Sequence, residues 1–196
     1  GTLCSNYGFN QSQAEFILNC LVSGYTVSNA ELFTLINYIG WNTLEPPNIV
    51  NGIQEKNMTY TDAMKQTLSG GDNNGIDGFN TIQIEEIMGY IADGLTPSNA
   101  ILTEIQHLGF TENQAVHIQK YMLDNTCRFT LAQQNELHVM GFSWKSANDV
   151  NHYAIKYGEG SPIEVTIERE GHTAKISVKD NGIGIDPKQQ KAIFER

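Results

Sequence analysis

The sequence predicts a mainly α-helical protein, built from helix-hairpin repeats with about nine short helices and followed by a small α+β tail. Three observations lead to this prediction. A glycine–aromatic–cap element recurs through residues 8–155, and a Thr-led cap recurs between its copies. From residue 161 onward, apolar and polar side chains alternate as they do in a β-hairpin.

One cap–helix–glycine unit shows how each repeat is built. Thr96 is a suitable N-cap and Pro97 suits the first helical turn. Apolar residues then follow at the spacing of one buried helical face: Ile101, Leu102, Ile105 and Leu108. Gly109 ends this helix, and Thr111 with Gln114 forms a capping box that starts the next one.

Both elements recur in phase. The glycine–aromatic–cap copies are Gly8-Phe9-Asn10, Gly40-Trp41-Asn42, Gly78-Phe79-Asn80, Gly109-Phe110-Thr111 and Gly141-Phe142-Ser143. The Thr-led caps begin at Thr26, Thr59, Thr96 and, more weakly, Thr130, and the helix after the first has a predicted buried stripe at Leu32, Leu35, Ile36 and Ile39. Because helices this short are marginal alone in water, we expect them to be stabilised by packing on their neighbours.

Charge divides the chain into two predicted domains, an α-helical repeat domain at residues 1–154 and a tail at residues 155–196. Residues 1–155 hold 5 of the 12 Lys/Arg residues and 15 of the 22 Asp/Glu residues, and therefore carry the whole net charge of −10. An acidic surface argues against nucleic acid as a partner. It would suit a protein, or a basic or amphipathic peptide.

No apolar run approaches the roughly 20 residues of a membrane span, and no signal peptide is visible, so we expect no membrane span and favour the cytoplasm. The three cysteines are scattered, which favours free thiols over a disulfide between Cys4 and Cys20. The five histidines show no zinc-ligand spacing, so no metal site is predicted from them.

Calcium is a weaker alternative. Asp93-Gly94-Leu95-Thr96 looks like the second half of an EF-hand, but the positions that should carry ligands hold residues that cannot serve. The insertion in the longest repeat spacing has oxygen donors close together at Asp72, Asn74 and Asp77. The same residue types are typical of any exposed turn, so a turn remains the favoured interpretation.

The tail resembles the GHKL ATPase domain of sensor histidine kinases over residues 149–196. Ala154-Ile155-Lys156-Tyr157-Gly158 looks like the end of the family's N-box, Asp180-Asn181-Gly182-Ile183-Gly184-Ile185 like its first glycine box, and Ile193-Phe194-Glu195-Arg196 like the start of its F-box. The resemblance implies a β-hairpin, a final helix, and ATP–Mg as the cofactor. It also implies that Asp180 accepts a hydrogen bond from the adenine amino group, while Gly182 and Gly184 let the backbone approach the nucleotide.

The tail also departs from that family. Tyr153 stands where the resemblance places the magnesium-binding Asn, and Asp149 aligns with the earlier N-box Asn. The second glycine box has no counterpart among the 196 residues. Without these contacts phosphoryl transfer lacks its electrostatic stabilisation, so we expect no kinase activity. The leading hypothesis is a non-catalytic protein-binding module, and the alternatives are a sensor histidine kinase fragment acting in signal transduction and a calcium-responsive EF-hand-like protein.

Overall fold

The computed structural model describes residues 2–41, 45–70, 78–125 and 127–149 and two strands at residues 164–170 and 173–179. Nine helices lie in the described part of residues 8–155, which confirms the mainly helical prediction. The helices are α1 (Thr2–Ser5), α2 (Gln11–Val22), α3 (Val27–Thr34, continued by a π turn at Leu35–Ile39), α4 (Glu45–Lys56), α5 (Tyr60–Leu68), α6 (Thr81–Ala92), α7 (Pro97–His107), α8 (Glu112–Asn125), α9 (Phe129–Val139) and α10, which includes residues 144–149.

The helices pack as four hairpins: α2 with α3, α4 with α5, α6 with α7, and α8 with α9. Short turns join the two helices of each hairpin, such as residues 23–26 and residues 93–96. Such turns leave no room for the roughly 12-residue calcium loop of an EF-hand. One continuous apolar core extends from Phe9 to Ala132 through all four hairpins.

The predicted caps form in most places. The side chains of Thr26, Thr59 and Thr96 accept hydrogen bonds from the backbone N–H three residues on, at 3.3, 3.1 and 3.4 Å respectively. Reciprocal capping boxes join Asn10 with Gln13, Asn80 with Gln83, and Thr111 with Gln114. The prediction of a fourth cap at Thr130 is wrong. Helix α9 begins at Phe129, and its N-cap is Arg128, which makes no side-chain cap bond.

Successive hairpins meet through a repeated contact between a glycine turn and the next hairpin's cap. A Cβ placed on Gly8 would lie 3.7 Å from the Thr59 Cβ, and one on Gly40 would lie 2.9 Å from the Thr96 Cβ. At the third junction the Arg128 side chain donates to the carbonyl of Gly70. Each hairpin is therefore positioned by the one before it, as in other helical repeats.

The third glycine–aromatic–cap element differs from the others because of the insertion. The left-handed glycine after α5 is Gly70, with φ of 86°, and Gly78 does not adopt that conformation. A Cβ on Gly78 would lie 2.7 Å from the Gly70 nitrogen, so the insertion leaves and re-enters the fold at one point. Phe79 is then buried and stacks on Phe129 with ring centroids 4.4 Å apart, which restores the repeat.

The predicted β-hairpin is present in the tail. Strand β1 (Glu164–Glu170) pairs antiparallel with β2 (Thr173–Lys179). The register pairs Val165 with Val178 and Ile167 with Ile176, so apolar positions of the alternating pattern are paired across the two strands. The predicted boundary at residues 154 and 155 and the predicted final helix lie outside the described residues.

Candidate functional site

A row of four aromatic rings crosses the first hairpin. Phe16 on α2 stacks on Tyr38 with ring centroids 4.8 Å apart and on Phe33 with centroids 6.2 Å apart. Phe33 in turn contacts Tyr25, with centroids 5.5 Å apart and planes tilted by 52°. Tyr25, Phe33 and Tyr38 are exposed. The rings form a continuous apolar surface, which we call the aromatic row.

The π turn at the end of α3 carries one ring of this surface, Tyr38. Gly40 N–H bonds to the Leu35 carbonyl, a bond that spans five residues and inserts one residue into the helical turn. Leu35 stays fully buried, but Ile36 is 46% exposed. The predicted buried stripe is therefore wrong at Ile36, which lies at a helix position that is also exposed in the third and fourth hairpins. Ile36 lies on α3 with the aromatic row and adds exposed apolar surface to the same hairpin.

At three positions of this surface, those of Phe16, Phe33 and Ile36, the other hairpins compared carry polar residues. Counted from each N-cap, the residues equivalent to Phe33 are Gln66, Thr103 and Asn135, and those equivalent to Ile36 are Ser69, Gln106 and His138. The residues equivalent to Phe16 in α6 and α8 are Glu86 and His117. The repeat packs without apolar side chains at these positions, so its own stability does not explain the aromatic row.

The first hairpin, which carries the aromatic row, has acidic side chains but no Lys or Arg. No Lys or Arg precedes Lys56 in the sequence, whereas Glu15 and Glu31 both belong to the first hairpin. Glu31 is fully buried, and its Oε1 accepts a 2.8 Å hydrogen bond from Gln54 on α4. Burial raises the pKa of Glu31, and the bond from Gln54 opposes that shift. A partner that contacts this surface would meet no cationic side chain of the first hairpin.

A second cluster of polar side chains lies between the helices of the third hairpin. His107 Nδ1 lies 3.0 Å from Glu86 Oε2, 3.8 Å from Glu104 Oε2 and 3.5 Å from the Tyr90 hydroxyl. Glu104 is fully buried, Glu86 is half-buried and His107 is exposed. The cluster therefore reaches from the core to the surface.

The carboxylate of Glu104 is unusual because no hydrogen-bond donor reaches either of its oxygens. Burial, together with the neighbouring Glu86 carboxylate, raises the pKa of Glu104 to about 9. Burial and the charges of Glu104 and Glu86 also raise the pKa of the Tyr90 hydroxyl. An ionised buried carboxylate without a partner is strongly unfavourable. Glu104 therefore takes either a proton or a cation.

The repeat places a related pair in the fourth hairpin. Glu136 occupies the position of Glu104, eight residues after the N-cap, and His117 occupies the position of Glu86. His117 Nδ1 lies 3.8 Å from Glu136 Oε1. Aligning the repeats in register would have revealed these positions from sequence, but spacing within one helix could not, because the residues of each cluster lie on two helices.

The structure does not describe the residues singled out for nucleotide or calcium binding. Asp180, Gly182 and Gly184 lie outside the described residues, as do Asp72, Asn74 and Asp77. A cleft of about 470 Å³ borders the point where the insertion begins and ends, and Gly70, Gly78 and Arg128 are among its lining residues. The cysteines Cys4, Cys20 and Cys127 are free thiols, in agreement with the favoured interpretation.

Comparison with known families relates the tail to one of them. Residues 149–196 match the model of the family described as histidine kinase-, DNA gyrase B- and HSP90-like ATPase. This confirms the resemblance of the tail to part of a GHKL domain. No curated protein and no solved structure gives a significant match to the chain.

Within residues 2–149, leaving out the gaps, no helix is both long enough and apolar enough to cross a bilayer.

Proposed function

We propose that the helical repeat is a protein-binding module and that the aromatic row on the first hairpin binds a basic amphipathic helix. The observation that carries this proposal is the row itself. Three of its four rings are exposed, and Phe16 and Phe33 stand where other hairpins carry polar residues. Large exposed apolar surfaces of this kind typically mark interaction sites.

The stacked rings favour a helical partner. Aromatic side chains supply rigid apolar area and dominate the energetics of many interfaces. An amphipathic helix binds by placing residues of one face, three or four positions apart, against such a surface. Tyr38, Phe16, Phe33 and Tyr25 are in consecutive ring contact and can receive successive residues of that face.

The charge distribution favours a basic partner. The first 155 residues carry the net charge of −10, and the first hairpin has no cationic side chain. Charge complementarity of this kind increases the association rate and disfavours acidic partners, including a second copy of the same domain. The proposed ligand class is therefore a peptide or protein segment with Leu-like anchors and Lys or Arg on its polar face.

Fluorescence anisotropy with a labelled Leu/Lys amphipathic peptide tests this proposal. The test variant combines Phe33→Gln and Ile36→Ser, which introduces the residues that the second hairpin carries at these positions. We expect saturable binding to the wild type and at least about tenfold weaker binding to the variant, since hot-spot residues each contribute more than about 1 kcal/mol.

Two controls make the experiment decisive. Ile82→Thr removes an exposed apolar side chain from α6 and should leave the affinity unchanged. A peptide with Glu in place of Lys should bind more weakly than the basic peptide. Equal affinity for the wild type and the double variant, or no saturable binding to either, would overturn the proposal, provided that circular dichroism shows both proteins folded.

The family match supports a second candidate function, nucleotide binding by the tail. In this interpretation Asp180 accepts a hydrogen bond from the adenine amino group, while Gly182 and Gly184 allow close backbone approach. The test is titration of a fluorescent ATP analogue with Mg²⁺. Binding that Asp180→Asn abolishes supports the candidate, and absence of binding to the wild type rules it out.

Calcium binding by the insertion is a third candidate, carried only by the oxygen donors of Asp72, Asn74 and Asp77. Calorimetric titration of the full chain with Ca²⁺ tests it. We expect no heat if the segment is a turn, and a saturable signal that Asp72→Asn with Asp77→Asn removes if it is a site.

A further inference from the structure

We propose that Glu86, Glu104 and His107 form a binding site for a divalent first-row transition-metal ion of the Zn²⁺ class. One ligand atom from each of the three side chains can be chosen so that all three lie within 4.8 Å of one another. Glu86 lies on α6, while Glu104 and His107 lie one turn apart on α7. The two helices of the third hairpin therefore supply the ligands together.

The buried carboxylate is the strongest reason for a cation at this position. Glu104 has no solvent-accessible surface, and neither of its oxygens has a hydrogen-bond partner. Its Oε2 lies 3.8 Å from His107 Nδ1, so the unpartnered group points into the cluster. Buried charges in proteins are normally paired or bound to metal ions, and a divalent cation would satisfy both carboxylates of the cluster at once.

The distances suit a common metal ion. In a tetrahedral site with bonds of 2.0–2.2 Å, neighbouring ligand atoms lie about 3.4 Å apart. The observed separations from His107 Nδ1 are 3.0 Å to Glu86 Oε2 and 3.8 Å to Glu104 Oε2. Small side-chain rotations therefore suffice to place the three atoms around one ion. Because Glu86 and His107 reach the surface, a water molecule can complete the coordination.

The ligand set indicates which ions are favoured. One imidazole nitrogen with two carboxylate oxygens suits Zn²⁺, Fe²⁺, Co²⁺ or Ni²⁺, whereas Ca²⁺ and Mg²⁺ prefer oxygen ligands alone. Zinc sites with three protein ligands and one water are typical of catalytic centres, whereas structural sites use four protein ligands.

The same three positions can be compared in the other hairpins of the repeat. In the fourth hairpin His117 and Glu136 occupy the positions of Glu86 and Glu104, but the position of His107, eleven residues after the N-cap, is Val139. The first hairpin has Phe16, Thr34 and Asn37 at the three positions. Among the hairpins compared, the third alone carries three ligands, so metal binding is a property of its sequence and not of the fold.

The experiment titrates the full chain with Co²⁺ and then displaces Co²⁺ with Zn²⁺, and it records visible absorption and calorimetric heat. We expect one ion per chain, a d–d spectrum without thiolate charge transfer, and a higher melting temperature with metal bound. Glu104→Gln should weaken binding by at least about tenfold, while Glu136→Gln in the fourth hairpin should leave the affinity unchanged. Circular dichroism establishes that both variants are folded.

The possible outcomes are distinct. Binding that Glu104→Gln or His107→Ala weakens at least tenfold supports the site. Absence of binding to the wild type, equal binding by the wild type and both variants, or a thiolate spectrum that assigns the ion to cysteine overturns it. Because peptide binding to the aromatic row is measured separately on the first hairpin, neither proposal depends on the other.

Discussion

The indole N–H of Trp41 donates a 3.1 Å hydrogen bond to the Tyr60 hydroxyl, and both side chains are buried. Trp41 belongs to the glycine turn before α4, and Tyr60 is the first residue of α5. Tyr60 also stacks on Phe9, with ring centroids 5.0 Å apart. Burial raises its pKa to about 12, so the hydroxyl remains neutral at physiological pH. One polar contact thus lies at the junction of the first two hairpins.

Tyr60→Phe tests the contribution of this contact. The substitution keeps the stacked ring but leaves the buried Trp41 N–H without an acceptor, which costs about 1–3 kcal/mol. We expect the free energy of unfolding in urea to fall by this amount, with tryptophan fluorescence as the readout. Tyr25→Phe, which removes an exposed hydroxyl, should change it by less than about 0.5 kcal/mol. Equal effects of the two substitutions would contradict this account.

A second prediction concerns the contact between a glycine turn and the next hairpin. Gly40 and Gly24 have nearly equal φ angles of 92° and 93°, but a Cβ on Gly40 would lie 2.9 Å from the Thr96 Cβ, while one on Gly24 would contact nothing within 4 Å. Gly24→Ala should therefore lower the free energy of unfolding by only about 1–2 kcal/mol, the cost of placing an alanine in the left-handed conformation.

Gly40→Ala should lower the free energy of unfolding more than Gly24→Ala does. It has the same backbone strain, and its new methyl group would also clash with Thr96 at the second junction. Parallel urea unfolding of the two variants and the wild type measures the difference. If both alanines destabilise equally, the close contact between Gly40 and Thr96 does not limit the packing of these hairpins.

The features that the sequence predicted correctly are local ones. A capping box such as Asn10 with Gln13 depends on four consecutive residues, so the chain specifies it without tertiary information. The aromatic residue after the glycine was also predicted to pack inward, and Phe9 and Phe79 are buried, whereas Phe110 is half-buried. The resemblance of the tail rested on motifs of fixed order, which a family match then confirmed.

The missed features depend on geometry between elements. The predicted stripe placed Ile36 in the core, but no neighbouring element covers this position, which is exposed in the third and fourth hairpins as well. The insertion transferred the left-handed glycine from Gly78 to Gly70, because the chain re-enters at the same point. The cluster of Glu86 with Glu104 requires knowing which faces of α6 and α7 meet. In each case the packing of one element on another decides the outcome.

The buried Glu31 predicts a dependence of stability on pH. Burial raises its pKa in the folded protein above the ordinary value of 4.5. The folded state therefore retains a proton that the unfolded state loses as the pH rises above 4.5. The stability contributed by this group is fully present below that pH and is lost as the pH rises through the folded-state pKa.

Glu31→Gln should remove this dependence, since a neutral amide still accepts the hydrogen bond from Gln54. We expect the variant to gain stability relative to the wild type as the pH increases above 4.5, by at most about 1.4 kcal/mol per pH unit. Urea unfolding from pH 4 to 8 measures the difference. Glu15→Gln, which removes an exposed carboxylate from the same hairpin, serves as the control, and a constant difference for Glu31→Gln would contradict the prediction.

The metal proposal leads to a gain-of-function prediction in the fourth hairpin. Val139 is 68% exposed and occupies the position of His107, next to the pair of His117 and Glu136, whose Nδ1 and Oε1 atoms lie 3.8 Å apart. Val139→His would complete a set of three ligands on a surface that tolerates substitution. We expect the number of Co²⁺ ions bound per chain to rise from one to two.

Two further variants distinguish a designed site from adventitious binding by a new histidine. Val139→Ala should still bind one ion per chain. Glu136→Gln added to Val139→His should abolish binding of the second ion, because the buried carboxylate is removed. The second ion should also bind while the first site is disabled by Glu104→Gln. A second ion that persists without Glu136 would show that the imidazole alone captures it, and the equivalence of the two hairpins as metal-binding scaffolds would then be wrong.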